Sequence, residues 1–162
     1  MMQVRPATDS DGPAIARLIA DVFADYENCP FDRTEFPELD APASHYSARG
    51  GALFIGEVEA HPFPIAASLA YSVPEPGIAE LHKFYLDKSL RGRRMGFQIY
   101  ERVLSEIRSR GLRRIRLWTD TRFQSGHRFY ERAGFARQPV TRFLDDVTQA
   151  WEYAYTIELK PA

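Results

Sequence analysis

The chain has 162 residues, a length that suits one domain with a sizeable core. Hydrophobic residues make up 44% and charged residues 27%, as in ordinary globular proteins, and the formal net charge of −1 argues against a dedicated nucleic-acid binder. No apolar run reaches membrane-spanning length, and Met1 to Pro6 lacks the apolar core of a signal peptide, so no membrane partner is expected. The single cysteine, Cys29, forms no internal disulfide and suits a reducing cytoplasm. His45, His61, His82 and His127 lack ligand-like spacing, so no metal is expected.

Gln3 to Pro6 reads as a short strand. Asp11 is placed as N-cap before Pro13, and Ile15, Leu18, Ile19, Val22 and Phe23 then recur at helical spacing to about Tyr26. Asn28 to Gly50 is rich in proline and acid, and Pro30, Pro37 and Pro42 interrupt any long helix. From Asp25 to Asp40 six acidic residues face one basic residue, Arg33. Such a stretch reads first as a solvated loop, and it also attracts a cationic substrate, with Asp32 and Glu35 placed to help.

Ala52 to Val58 and Ile65 to Val73 form an antiparallel hairpin, and Ala79 to Leu86 follows as a third strand. Helical spacing takes over from Arg94 to Arg110 through Phe97, Tyr100, Leu104 and Ile107, and Gly111 stops it. Arg114 to Thr119 is the next strand, joined by a right-handed crossover to a parallel neighbour. Thr121 and Gln124 have capping-box spacing for a helix from Arg122 to about Ala133, ended by Gly134. Phe135 to Val140 and Ala150 to Leu159 are the last strands, with Asp145-Asp146 turning between them. The fold class is α/β: a mixed sheet of about seven strands, mostly antiparallel with a central parallel pair, with helices on both faces. Residues 1–162 read as a single domain without repeats or linkers.

The stretch from Ala79 to Phe135 organises the chain. Its centre, Leu90-Arg91-Gly92-Arg93-Arg94-Met95-Gly96, lies where a strand hands over to a helix. A helix starting there offers unpaired N–H groups and the positive end of its dipole, which suits a phosphate or pyrophosphate. The competing reading is a basic loop that only caps a helix, since short glycine motifs are weak.

With Phe129-Tyr130-Glu131-Arg132-Ala133-Gly134-Phe135, this stretch resembles the GNAT superfamily of N-acetyltransferases. The family's phosphate loop, Gln/Arg-x-x-Gly-x-Gly/Ala, appears as Arg91 to Gly96 with Arg94 at the central glycine. Family members often carry a cofactor-contacting asparagine seven residues before the tyrosine. Phe123 stands there, with Thr119, Asp120 and Thr121 nearby as replacements.

The resemblance implies acetyl-CoA as co-substrate, lying between the fourth and fifth strands. Its pyrophosphate would sit on Arg91, Gly92, Arg93, Arg94, Met95, Gly96 and Phe97, and Phe84, Tyr85, Leu86, Thr119 and Phe123 would complete the cofactor site. From Arg91 to Arg116 nine arginines against two glutamates give +7, matching the phosphates of coenzyme A.

The implied reaction is attack of a neutral amine on a thioester through a tetrahedral intermediate. A thiol pKa of about 8.5 against about 10 for tyrosine makes a tyrosine hydroxyl a plausible proton source. Tyr130 matches the family's tyrosine and is the expected general acid; packing on the sheet is its structural alternative. For the general base Glu80 comes first and His82 second, two apart on one strand and hence on one face, together with Phe84 and Leu86.

The leading function is therefore an acetyl-CoA-dependent N-acyltransferase acting on a small-molecule amine or a peptide or protein amino group. A catalytically inactive, coenzyme A-binding regulatory domain is the alternative. A nucleotide-binding protein using the arginine turn ranks third, since Gly-x-x-x-x-Gly-Lys-Ser/Thr and Gly-x-Gly-x-x-Gly are both missing. Family members are often dimers, so the resemblance allows a homodimer and leaves the oligomeric state open.

Overall fold

The structure is a computed structural model describing residues 1–161. Seven strands form one sheet: β1 (Met2–Pro6), β2 (Ala52–Val58), β3 (Ile65–Glu75), β4 (Ile78–Leu86), β5 (Arg114–Asp120), β6 (Ala136–Phe143) and β7 (Trp151–Glu158). Their spatial order is β1-β2-β3-β4-β5-β7-β6, with β4 and β5 parallel and every other pair antiparallel. The helices are α1 (Gly12–Phe23), α2 (Pro42–Ser47), α3 (Met95–Ser109) and α4 (Gln124–Arg132).

Strand alternation sorts the apolar residues into two cores. Phe54, Leu69, Tyr71, Leu81, Ile115 and Leu117 face Ile99, Val103 and Ile107 of α3 and Tyr130 of α4. Leu53, Ile55, Ile65 and Ala70 face Ile15, Leu18, Ile19 and Val22 of α1 on the other side. The helices α1 and α3 thus bury the stripes that their spacing marks.

Three local expectations are corrected. Asp11 precedes α1 but does not cap it with its side chain, because Arg5 and the Thr8 N–H take its carboxylate at 2.9 and 2.7 Å. Thr121 and Gln124 form no capping box: the helix starts at Gln124, and Asp120 instead accepts from the Arg122 N–H at 2.9 Å. The acidic segment is not simply a solvated loop. Its prolines end long helices and begin short ones, Pro37 opening a 3-10 turn and Pro42 opening α2, while Cys29, Leu39 and Tyr46 plug the second core.

One irregularity shapes the centre of the sheet. Ala70 pairs with His82 and Ser68 with Tyr85, so β4 carries one residue more than β3 between these pairs. Lys83 takes left-handed backbone, φ 56°, at this bulge. The buried Ser68 hydroxyl donates to its carbonyl at 2.6 Å. Removing the hydroxyl leaves a carbonyl unpaired in a dry place. Ser68→Ala is expected to cost about 1–3 kcal/mol of stability, measured by urea unfolding; an unchanged midpoint would mean that water replaces the hydroxyl.

Candidate functional site

The parallel ladder between β4 and β5 runs from Ile78↔Arg114 to Leu81↔Leu117 and then stops. Beyond it the strands diverge, and a cleft of about 630 Å³ opens between them, α3 and α4. Of the expected cofactor residues, Phe84, Tyr85, Leu86, Arg91, Gly92, Arg94, Met95, Gly96, Phe97, Thr119 and Phe123 line this cleft. Arg93 does not.

The arginine-glycine turn leads straight into a helix. Gly92 has φ 78°, Arg94 has φ 59°, and α3 begins at Met95. The central glycine's place is therefore left-handed backbone, which Arg94 adopts at a strain cost of about 1 kcal/mol. The first turn of α3 borders the cleft, so its free N–H groups and dipole favour an anion there. Ser125, Gly126, Arg128 and Arg132 of α4 border it too and were not singled out in the sequence. Arg128 and Arg132 are four apart on one helical face, a spacing that makes them neighbours.

Phe123 supplies no polar contact. It packs against Tyr26 at 4.9 Å and Phe23 at 5.8 Å between ring centroids, closing one end of the cleft with apolar surface. Of the three nearby replacements, Thr119 lines the cleft, whereas Asp120 is held by Arg122 through contacts of 2.9 and 2.6 Å.

Tyr130 is only 6% exposed, walled by Phe84, Phe129, Phe135 and Tyr155. Its hydroxyl has no hydrogen-bond partner among the described residues, and burial, helped by Tyr85 and Tyr155, holds its pKa well above the ordinary value. It therefore stays protonated. A second cavity of about 240 Å³ meets the cleft here, sharing Phe84, Tyr85, Thr119, Phe123 and Tyr130. Glu35, Glu38, Asp120, Asp146 and Glu152 give it an acidic wall. Lys83 lies among them, paired with Glu38 at 2.7 Å. Asp32 is not part of that lining.

The bulge corrects the expected face of β4. Glu80 and His82 point to the α2 side, where His82 meets the Tyr46 ring at 5.6 Å. Phe84 and Leu86 emerge on the opposite side, beside the first core. Glu80 sits within the closed part of the ladder, 3.3 Å from Arg116, and lines an open cavity of about 760 Å³ with His45, Arg49 and Arg110. His82 borders that cavity and the acidic one. The structure thus brings Tyr130 to the cleft but not Glu80. Among the described residues, no group of three or more His, Cys, Asp and Glu is arranged to hold a metal ion, and no helix is long and apolar enough to cross a membrane.

The sequence profile of the Acetyltransferase (GNAT) family matches residues 15–135. This chain belongs to that family. It is 29% identical over 135 residues to the uncharacterized N-acetyltransferase YjgM of Escherichia coli K12, covering 82% of this chain and 80% of that protein. An uncharacterized N-acetyltransferase of Methanocaldococcus jannaschii is 26% identical over 92 residues, 55% of this chain, and the match spans only 41% of that protein's length. A GNAT-family acetyltransferase of Staphylococcus aureus Mu50 superposes with a TM-score of 0.84 at 19% identity, covering 99% of this chain and 100% of that one. A ribosomal-protein-alanine N-acetyltransferase of Brucella melitensis gives 0.73 at 15% identity, covering 97% and 99%. At these identities the structural likeness shows the fold alone. That fold is the seven-stranded GNAT sheet with its central parallel pair.

His82 has a measurable signature. Burial first, then Lys83, His45 and Arg142, lower its pKa from 6.5 to about 4, and its Nε2 lies 2.7 Å from the Ser72 hydroxyl. The unfolded chain takes up this proton at higher pH than the folded protein does. The His82 contribution to stability therefore falls as pH drops from 6.5 towards about 4 and levels off below. Denaturant unfolding across that window is expected to show a smaller loss in His82→Gln than in the parent. Equal slopes would show that the ring is not buried neutral.

Proposed function

We propose that this acetyltransferase moves an acetyl group from acetyl-CoA to a primary amine of a small molecule or peptide. The observation that carries the reading is the junction of two oppositely charged cavities at Tyr130. On one side lie the α3 N-terminus and Arg91, Arg94, Arg128 and Arg132; on the other lie the acidic wall and its bulged strand. The pyrophosphate would lie against the backbone N–H groups of Met95, Gly96 and Phe97 and the dipole of α3. The arginines would take the remaining phosphate charge, with Arg93 at the rim. The pantetheine arm would run between the diverging strands, beside Phe84, Tyr85 and Leu86, which have no β5 partner.

A thioester in that gap faces the acidic cavity, where a cationic amine is attracted. Attack on the carbonyl forms a tetrahedral oxyanion, which unpaired backbone N–H groups near Tyr85 and Leu86 would stabilise. Collapse expels the thiolate, and Tyr130 gives it a proton. The phenol stays neutral and so carries the proton that this step needs. The lone buried cysteine, Cys29, supports a reducing cytoplasmic setting.

Thermal unfolding tests the cofactor site directly. Acetyl-CoA at one hundred times its dissociation constant is expected to add about 2.7 kcal/mol and raise the midpoint by several degrees, with no shift from ATP or NAD. Tyr130→Phe is expected to keep that shift while lowering kcat about 10²–10⁴-fold in an amine assay that follows thiol release. Binding without turnover in the parent enzyme would favour the inactive regulatory domain.

A further inference from the structure

We propose that Glu152 takes the proton from the incoming ammonium, and that Arg142 is the positioning residue that aims it. The proposal rests on amine acetylation being the reaction. Glu152 stands on β7 directly across from Asp120 of β5 and Arg142 of β6, level with the point where β4 and β5 have parted. Its side chain is 14% exposed and lines the acidic cavity together with Tyr85, Thr119 and Tyr130.

The carboxylate is held at one oxygen and open at the other. Arg142 Nε donates to Oε1 at 2.7 Å, and the same guanidinium lies over the Trp118 ring, 4.3 Å from its centroid. A planar cation stacked on an aromatic face is a stiff support. Oε2 has no hydrogen-bond partner among the described residues. The other buried or half-buried carboxylates of this wall are committed elsewhere: Asp120 to Arg122, Glu38 to Lys83, and Asp146 to the N–H and hydroxyl of Thr148. Glu35 is exposed on its turn. Glu80 lies outside the cavity, and His82 is occupied by Ser72.

The charges around Glu152 set its affinity for a proton. Asp120, paired with Arg122 of the following turn, faces it from β5, Asp146 from the β6–β7 turn, Arg142 from β6, and His82, Lys83 and Tyr85 from β4; Glu35 and Glu38 complete the cavity wall. Burial raises its pKa most, Asp120 and Asp146 raise it further, and Arg142 opposes them. A carboxylate lifted towards neutrality is a better proton acceptor than an ordinary one.

The proton balance closes. The ammonium gives one proton to Glu152 Oε2, and the freed lone pair attacks the thioester carbon. The C–S bond breaks, its electron pair leaves with sulfur, and the Tyr130 proton goes to the thiolate. The nitrogen returns its surplus proton to Tyr130, and Glu152 releases the first proton to solvent. The products are the amide, the coenzyme thiol and one proton.

The test is the pH dependence of kcat/KM for the parent, Glu152→Gln, Arg142→Ala, Arg142→Lys, Glu80→Gln and His82→Gln. The acceptor is whichever of spermidine, benzylamine, alaninamide and a lysine-containing peptide turns over fastest. Glu152→Gln is expected to lower kcat about 10²-fold or more and to abolish the acidic limb, with the acetyl-CoA thermal shift intact. Arg142→Ala is expected to move that limb to higher pH, because the opposing cation is gone, and Arg142→Lys to restore it in part. An unchanged limb in Glu152→Gln, or its loss in Glu80→Gln or His82→Gln instead, would overturn the proposal. A parent that binds acetyl-CoA but acetylates none of the amines would overturn the acetyl-transfer reading, and this assignment with it.

Discussion

A parallel pair of strands normally continues until a loop ends it, because each added residue satisfies backbone groups that would otherwise face a dry interior. Here β4 and β5 break off after Leu81↔Leu117 although both strands run on, β4 to Leu86 and β5 to Asp120. The bulge at Lys83 redirects β4, and β3 holds the redirected strand through the Ser68 hydroxyl. Tyr130 from α4 fills the fork between the strands. Every part of the site takes its position from this divergence: the cleft, the exposed start of α3, and the passage to the acidic cavity.

The divergence also separates charge. A net charge of −1 conceals a basic stretch around α3 and an acidic one around residues 25–40. The fold brings Arg91 and Arg94 of the one to the cleft and Glu35 and Glu38 of the other to the acidic cavity, so the two sides of the gap attract opposite charges. Mixed on one surface, the two stretches would cancel. Most of the acidic groups are restrained by cations of their own, as in Asp120–Arg122, Glu38–Lys83 and Glu152–Arg142, which spares the fold the repulsion of a bare anionic wall.

Features written in consecutive residues were legible in the sequence. The strand and helix periods, the glycine-arginine turn and the tyrosine segment are local, and the elements they name lie where their spacing puts them. Features that depend on partners distant in the chain were not. The extra residue in β4 shows only against the register of β3, and it is what moves Phe84 and Leu86 off the face of Glu80 and His82. Thr121 and Gln124 have the right spacing for a cap, yet the Asp120 carboxylate reaches the Arg122 N–H first. Glu152 looks like an ordinary polar position in an alternating strand; only pairing with Asp120 and Arg142 gives it a setting.

The backbone carries the same signature. Among the described residues, four other than glycine adopt positive φ, Asn28, Lys83, Arg94 and Gln149, and all four border this region. The Asn28 carbonyl accepts from Arg122, Lys83 is the bulge, Arg94 is the N-cap of α3, and Gln149 closes the turn whose Asp146 and Thr148 line the acidic cavity. Left-handed backbone costs a side-chain-bearing residue about 1–2 kcal/mol, so it persists where the surrounding structure holds it. At Arg94 glycine would avoid the cost but lose a guanidinium at the mouth of the cleft. At Lys83 glycine would avoid it but leave Glu38 facing the acidic cavity without its cation. The chain accepts strain at these two positions and gains there a guanidinium at the mouth of the cleft and a cation that balances the acidic wall.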